Sequence, residues 1–560
     1  MTDSPPGRKA ERRNGAKRCP ARQPGCAPSG PGILALRPTP GLVLIVVTSV
    51  LGAAVFYCVK HLTADAHDFK AWLLAVGGLT ALALAGLVVT PQSLTLGLRV
   101  FFRIVALVPI IFFVFATPEF TGIDSRSTGS AFEIIRYFGL ATGLLSLWRP
   151  SFLSASLYAL VLTDQIAAVA GGLPVSETDM LPTIETTSVL LFALTAARWI
   201  SLTKRTFGTQ LREVFGGSVT DPALRMPFQE ALLILVTAVH LANYYYSGHT
   251  KLVLSGGPTN WLLHNPTGVL MENAWDMGFL PIAQWKPLAD FILLVATRFT
   301  PAVNAFVLGI QLLAFVALFR RRWLIAALLS YDMMHIGIFL LSGIFFWKWI
   351  ALNTAFVAAL TRARMSEISG RIAIAAVVCG ALAPLMFFVA RLGWYDTREV
   401  SNSYAVAITN DGKEFAVPSN YFLALSLGFA QMDFGQTQPG TSPATSTWGA
   451  TVSDDIMRQA NKCQAPVGGE GSPERLANLE RVLRMVHETA VAAGGADGVF
   501  NYNIYPHHVW SNLFSDTAFL HLDKRKIVAY RWVEEVLCVD HLHNATRVMT
   551  KRSTVVPVAD

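Results

Sequence analysis

The sequence is poor in charge. Asp, Glu, Lys and Arg make up 15% of its 560 residues, against roughly 25% in a soluble globular chain. That shortage excludes a water-facing surface over most of the molecule. Cysteine is also scarce, with 6 in the chain. Cys19 and Cys26 are too widely spaced, and lack partners, for a zinc site, while Cys58 and Cys379 fall in apolar runs. The sequence has no Cys-x-x-Cys redox pair, no phosphate-cradling loop and no dinucleotide fingerprint, which removes the common nucleotide-dependent classes. No cleavable signal peptide is evident, because the first apolar run begins near Gly41 and lacks a small-residue cleavage site.

What is present is apolar. Hydrophobic residues make up 52% of the chain and mean hydropathy is +0.44. Runs long enough to cross roughly 30 Å of hydrocarbon recur at 41–59, 71–90, 98–117, 132–148, 152–170, 182–202, 229–250, 302–319, 323–341, 344–361 and 371–391. They predict an all-α polytopic membrane bundle of eleven transmembrane helices. A shorter apolar helix at 287–300 reads as interfacial or re-entrant.

Net charge is +8, and its placement orients the chain. Residues 1–40 hold Arg8, Lys9, Arg12, Arg13, Lys17, Arg18, Arg22 and Arg37 against Asp3 and Glu11. Rich in Pro and Gly, this segment reads as a disordered cytoplasmic tail that sets topology and touches anionic lipid, in preference to nucleic acid. With the tail inside, Arg149, the group Lys204, Arg205, Arg212 and Arg225, the run Arg320 to Arg322, and the group Arg362, Arg364 and Arg371 all fall on the cytoplasmic side. The opposite loops carry Glu119, Asp124, Glu177 and Asp179, in agreement with the positive-inside rule. An odd number of spans then places the C-terminus outside. The expected organisation is a tail (1–40), two N-terminal helices (41–92), a bundle (93–391) and an extracytoplasmic α+β domain (396–560), in the inner or cytoplasmic membrane.

The exported region reads as soluble sequence. Tyr404 to Ile408, a turn at Asn410-Asp411-Gly412 and Phe415 to Val417 signal a β-hairpin. Tyr421 to Phe434 suggests an amphipathic helix, and 435–450 a loop. Ser472-Pro473 opens a helix that Gly494-Gly495 closes, and Lys526 to Val539 reads as a strand. Cys463 and Cys538 share an oxidising compartment and could form a disulfide. The spacing of His507, His508, His521 and Asp523 matches no standard metal-ligand pattern.

Ionisable groups inside spans are costly and therefore candidate functional groups. In span seven, His240, Tyr244, Gly248 and Lys251 follow steps of four, four and three, which puts them on one helix face. Gly248 would let a backbone or ligand approach that face. A lysine in an apolar pocket at the outer boundary can act as a base, or it can snorkel to the interface. In span nine, Asp332, His335, Phe339 and Ser342 form a second stripe, suited to sharing a proton or to locking helices together. Trp261, His264, Asn265, Glu272, Trp275, Asp276 and Trp285 lie in a long outer segment that could roof the ends of both spans.

Tyr245-Tyr246-Ser247-Gly248-His249-Thr250-Lys251-Leu252 resembles the aromatic–small–Gly–x–x–Lys–Leu segment of the HTTM family, which includes the vitamin K-dependent γ-glutamyl carboxylase. His335 followed by Ser342-Gly343-Ile344-Phe345-Phe346-Trp347 resembles that family's His-containing apolar helix. Ser93 to Arg103 resembles its opening helix, and Arg198-Trp-Ile-Ser201-Leu202 the approach to its lysine helix. The region corresponding to the carboxylase's Trp-Asn-Asn-His-x-Tyr segment reads Ala159-Leu-Val-Leu-Thr-Asp164-Gln165 here. The resemblance implies a carboxylase- or oxygenase-like membrane enzyme using reduced vitamin K or another quinol. Lys251 would be the base, with Asp332 and His335 relaying protons and His240, Tyr244, His249 and Ser342 binding a lipid-soluble or peptide substrate at the outer face. The other reading is a transporter or an assembly protein whose exported domain binds a partner; no internal repeat supports transport.

Overall fold

The computed structural model describes residues 40–115, 126–171, 179–203, 227–430, 436–440, 442–443, 445, 448–503, 509, 518–540 and 545–558. The basic tail, the whole loop at 204–225 and the pair His507 and His508 lie outside them. The chain from Pro40 onward clusters as one unit.

Helices occupy the apolar half. Four of them, Val43–Ala64, Phe69–Val88, Leu96–Phe115 and Arg321–Ser342, are long and apolar enough to cross a membrane. The bent pair Lys286–Arg298 and Thr300–Leu312, which meet at 80°, adds a fifth if it is one broken span. The count of eleven is therefore corrected to four or five among the described residues, and the causes are local. Helix Leu181–Thr203 contains Glu185 and Arg198 and buries Thr183, Thr186, Thr187 and Ser188. Helix Phe228–Leu252 carries Glu230, His240, Asn243 and Lys251, all but Glu230 spaced along its C-terminal half. Helix Trp347–Thr361 has 15 residues and Gly370–Leu382 has 13. At about 1.5 Å per residue, 15 residues reach roughly 22 Å, short of the hydrocarbon thickness. The expected span at 302–319 stops as α-helix at Leu312 and resumes as a 3-10 turn at Val316–Phe319.

The helices turn apolar side chains outward. Leu74, Phe291, Phe306, Met333 and Leu385 are all more than half exposed, a surface that favours hydrocarbon over water. Inward, small residues bring backbones together. A Cβ on Gly97 would stand 2.6 Å from the carbonyl oxygen of Ala359, so helices Leu96–Phe115 and Trp347–Thr361 meet where there is no side chain.

Beyond the bundle the chain becomes α+β. Strands β2 (Glu399–Thr409), β3 (Glu414–Val417), β7 (Ile527–Cys538) and β8 (Arg547–Pro557) form an antiparallel sheet in the order β3-β2-β7-β8. β2 and β3 form a hairpin in which Gly412 takes φ +78°, a left-handed value open to glycine. Helix Pro473–Ala493 starts where the Ser472 hydroxyl accepts the Arg475 N–H. It sinks Leu479, Val482 and Leu483 into the core shared with Tyr530 and Trp532. The helix expected from Tyr421 is instead a 3-10 segment, Ser419–Leu425, followed by the short helix Ser426–Ala430. Residues 431–434 of that expected helix lie outside the described residues. The expected loop at 435–450 contributes the short strands β4 (Ser442–Pro443) and the start of β5 (Ala450–Thr451). Cys463 and Cys538 are joined, with Cα atoms 5.7 Å apart.

Candidate functional site

Three helices bring polar side chains into the apolar interior. His240 and Tyr244 come from Phe228–Leu252, Asp332 and His335 from Arg321–Ser342, and Asn353 from Trp347–Thr361. Asn353, fully buried, is the hub. Its side-chain N–H groups donate to Asp332 Oδ1 and to the Tyr244 hydroxyl, each at 2.9 Å. The Asn353 Oδ1 lies 2.7 Å from His240 Nε2. Since the amide nitrogen faces the carboxylate, Oδ1 must accept, so His240 Nε2 carries the proton and Nδ1 is left as a bare acceptor. His240 Nδ1 is buried without a hydrogen-bond partner, as are His335 Nδ1 and the Trp349 indole nitrogen.

Aromatic rings pack these groups together. Tyr244 stacks on Tyr331 with centroids 3.7 Å apart. Trp349 stands 5.7 Å from His240, 5.6 Å from Tyr244 and 5.6 Å from His335, centroid to centroid. The result is a ring-packed cluster in which two imidazole nitrogens and an indole N–H have hydrogen-bonding capacity to spare. Asp332 and His335 share this cluster, but Asp332 bonds to Asn353 and His335 packs against Phe346 at 5.2 Å.

Lys251 belongs to a second group, at the end of its helix. Its ammonium donates to the carbonyl of Ser247 at 3.2 Å and to that of Leu392, and it lies 5.3 Å from the Trp261 ring centroid. The Trp261 indole donates to the Trp394 carbonyl at 2.8 Å. Asp396, beside them, accepts from Asn265 at 2.9 Å and from the Trp394 indole at 3.3 Å. Burial pushes the Asp396 carboxyl up to about 6, against the pull of those two hydrogen bonds and of the Lys251 charge. Between the groups, a Cβ on Gly248 would lie 2.9 Å from the Gln311 Cβ and 3.3 Å from Leu312. The close approach at Gly248 is thus made by helix Thr300–Leu312. His240, Tyr244, Asp332 and His335 come together, whereas Lys251 stands about 10 Å further along the axis, seven residues at 1.5 Å each.

The remaining expected residues take other positions. His249 is exposed, edging Tyr245 and Tyr246. Ser342 is buried, and its hydroxyl donates back to the Ile338 carbonyl at 2.7 Å, closing its own helix. Asp523 is engaged by Arg525 at 2.8 Å. Sequence reasoning missed Asn353. The available signal was an asparagine inside the apolar helix that starts at Trp347, which is as expensive in hydrocarbon as the histidines that were noticed.

No family model matches the chain, and no curated protein or solved structure is significantly similar to it.

Proposed function

We propose that the chain is a multi-pass membrane enzyme of the HTTM type, acting on a lipid-soluble quinol such as reduced vitamin K. The observation that carries this reading is the convergence of His240, Tyr244, Asp332 and His335 on Asn353, with both histidines keeping an unpartnered buried ring nitrogen. A scaffold would gain nothing from leaving such atoms unsatisfied, since each costs about 1–3 kcal/mol. A quinol fits this donor set: its hydroxyls need acceptors such as His240 Nδ1, and its flat ring suits the walls of Tyr244 and Trp349. When bound, a quinol supplies an acidic hydroxyl and two electrons for an oxygenase or carboxylase reaction. On the protein side, His240 and Tyr244 bind, Asp332 and His335 hold and relay protons, and Lys251 is the base nearest the outer boundary. In this reading the four long helices and the bent pair cross the membrane, and the short and polar helices pack among them. The N-terminus is then cytoplasmic and the α+β domain lies outside a cytoplasmic membrane.

A specific observation favours a second reading. Lys251 donates to the Leu392 carbonyl, where the chain leaves the bundle for the exported domain. A lysine used in this way is a clasp, and the protein is then an assembly factor or transporter whose exported domain recruits a partner. One experiment separates the two: titration of a reduced naphthoquinone into the protein in lipid nanodiscs, for wild type, Asn353→Leu and Lys251→Ala. The enzyme reading expects saturable binding by wild type, weakened at least tenfold in a folded Asn353→Leu variant, and loss of quinol oxidation in Lys251→Ala. No binding by folded wild type sinks it and leaves the clasp.

A further inference from the structure

The end of the bundle away from the α+β region carries a groove that the chemistry around Asn353 does not use. Helix Arg321–Ser342 has 22 residues, a length of about 33 Å, and just past its C-terminus Ile344 bridges Val509 of the α+β region. Arg321 therefore marks the opposite end. There the 3-10 turn Val316–Phe319 forms a floor, packed against helix Arg321–Ser342 on one side and helix Gly370–Leu382 on the other. A glycine permits the second contact, since a Cβ on Gly380 would stand 2.5 Å from the Phe315 ring.

Two charged residues brace this end. The Arg321 guanidinium donates to the carbonyls of Met365 at 2.7 Å and Thr361 at 2.9 Å. Glu230, buried, accepts the backbone N–H groups of Arg364 at 2.6 Å and Met365 at 2.9 Å. These bonds fix the turn 361–365 against the start of helix Arg321–Ser342. The stretches 313–323 and 361–378 together hold six arginines and one carboxylate, Glu367. Among the described residues, Arg320 and Arg371 have no ion-pair partner. Arg320 is exposed and lies 5.1 Å from the Trp323 ring centroid, and Arg371 is half-buried in the first turn of its helix. The surface beside these guanidinium groups is apolar: Val316, Phe319, Trp323, Ile374 and Val378 are each 45% to 56% exposed. Arg371, Ile374 and Val378 follow steps of three and four, so a cationic head and an apolar lane share one helix face. Guanidinium groups bind phosphate through paired N–H donors, and an apolar lane next to them suits hydrocarbon. Basic pockets between helices attract anionic lipid headgroups for this reason.

We propose that this groove binds an anionic phospholipid, with Arg320 and Arg371 as donors to its phosphate and with Phe319, Ile374 and Val378 against its acyl chains. The site is separate from the basic tail at 1–40. A zwitterionic lipid of the same chain length gains less here, because its ammonium group is repelled by the surrounding arginines.

The test is native mass spectrometry of the full chain in detergent, titrated with dioleoyl phosphatidylglycerol, with dioleoyl phosphatidylcholine, and with inorganic phosphate as competitor. Saturable binding of the anionic lipid is expected, with phosphatidylcholine at least tenfold weaker and no displacement by an equal concentration of inorganic phosphate. Arg320→Gln combined with Arg371→Gln should weaken phosphatidylglycerol binding at least tenfold. Arg12→Gln combined with Arg13→Gln removes the same charge from the tail and should leave that affinity within twofold of wild type. Should the groove double variant fail to fold, Arg371→Gln alone carries the test, with an expected loss of at least threefold. The proposal is overturned if the two lipids bind equally, if inorganic phosphate displaces the lipid, if the loss follows the tail substitutions, or if the folded groove variant binds as wild type does.

Discussion

At the scale of single residues, the interior depends on one side chain that the sequence did not advertise. Asn353 satisfies Asp332, Tyr244 and His240 at once. Replacing it by leucine keeps the branching and heavy-atom count and takes a partner from three buried groups, at about 1–3 kcal/mol each. We expect Asn353→Leu to lower stability by about 3 kcal/mol or more in detergent unfolding, and a loss below 1 kcal/mol would show that water replaces the amide. His240 and Asp332 were legible because an ionisable residue in an apolar run is conspicuous. Asn353 was not, because its importance lies in the two other helices it faces. Asp396 gives a pH dependence whose sign can be worked out. Its carboxyl is raised by burial from the ordinary value near 4 to about 6, so the folded state holds the proton more tightly than the unfolded state. That contribution is complete below pH 4 and is lost as pH rises toward 6. Two pKa units correspond to about 3 kcal/mol. Hydrogen-exchange protection around Trp394 to Thr397, taken relative to the base-catalysed intrinsic rate, should therefore fall between pH 4 and 6, and Asp396→Asn should flatten that slope; protection that rises over this range would contradict the burial argument.

At the scale of elements, hydropathy located the helices well and judged their character poorly. The run at 302–319 averages as apolar, yet its helix ends at Leu312 and bends by 80° from its predecessor. The shorter apolar run at 287–300 is the first arm of that bent pair. The seventh apolar run is a helix, Phe228–Leu252, but 19 of its 25 residues are buried inside the protein, so its polar residues face neighbouring helices. Packing between elements is legible only through small residues, and only once the partner is known. Gly97 and Gly77 look alike in sequence, yet Gly97 touches the Ala359 backbone and Gly77 has nothing within 4 Å. Gly97→Ala must push two helices apart, at about 1–3 kcal/mol. Gly77→Ala should leave the melting temperature unchanged or slightly raised, since alanine is the better helix former. Equal effects of the two substitutions on thermal unfolding would refute the close contact.

At the scale of the whole molecule, the question is how an α+β domain is held on a helical bundle. The long segment between Leu252 and Lys286, expected to roof a site, works as the coupling. Its carbonyls at Trp261, Leu262 and Asn265 all accept from the side-chain amide of Asn304, at 2.9 to 3.3 Å. Asn265 in turn pairs with Asp396 twice, once through the carboxylate and once through the backbone N–H at 2.8 Å. Asn273 donates to the Thr397 and Trp448 carbonyls, and Asn260 donates to the Tyr395 hydroxyl and to Asp454. Four asparagines on three helices and one helix cap thus form a polar joint from helix Thr300–Leu312 to β1 (Tyr395–Asp396). No periodicity announces such a joint, because each member contacts residues far away in sequence. Its physics nevertheless fixes the consequence. Asn304→Leu leaves three carbonyls of that segment without their donor while removing no core contact of the C-terminal sheet. The domain should then lose its seat before it loses its fold. Calorimetry of wild type should show a single transition spanning bundle and domain, and Asn304→Leu should split it, with early proteolysis between Leu252 and Lys286. A variant that still unfolds in one step, at a lower temperature throughout, would place the coupling elsewhere, in the Lys251 contact to Leu392 and the Trp261 contact to Trp394.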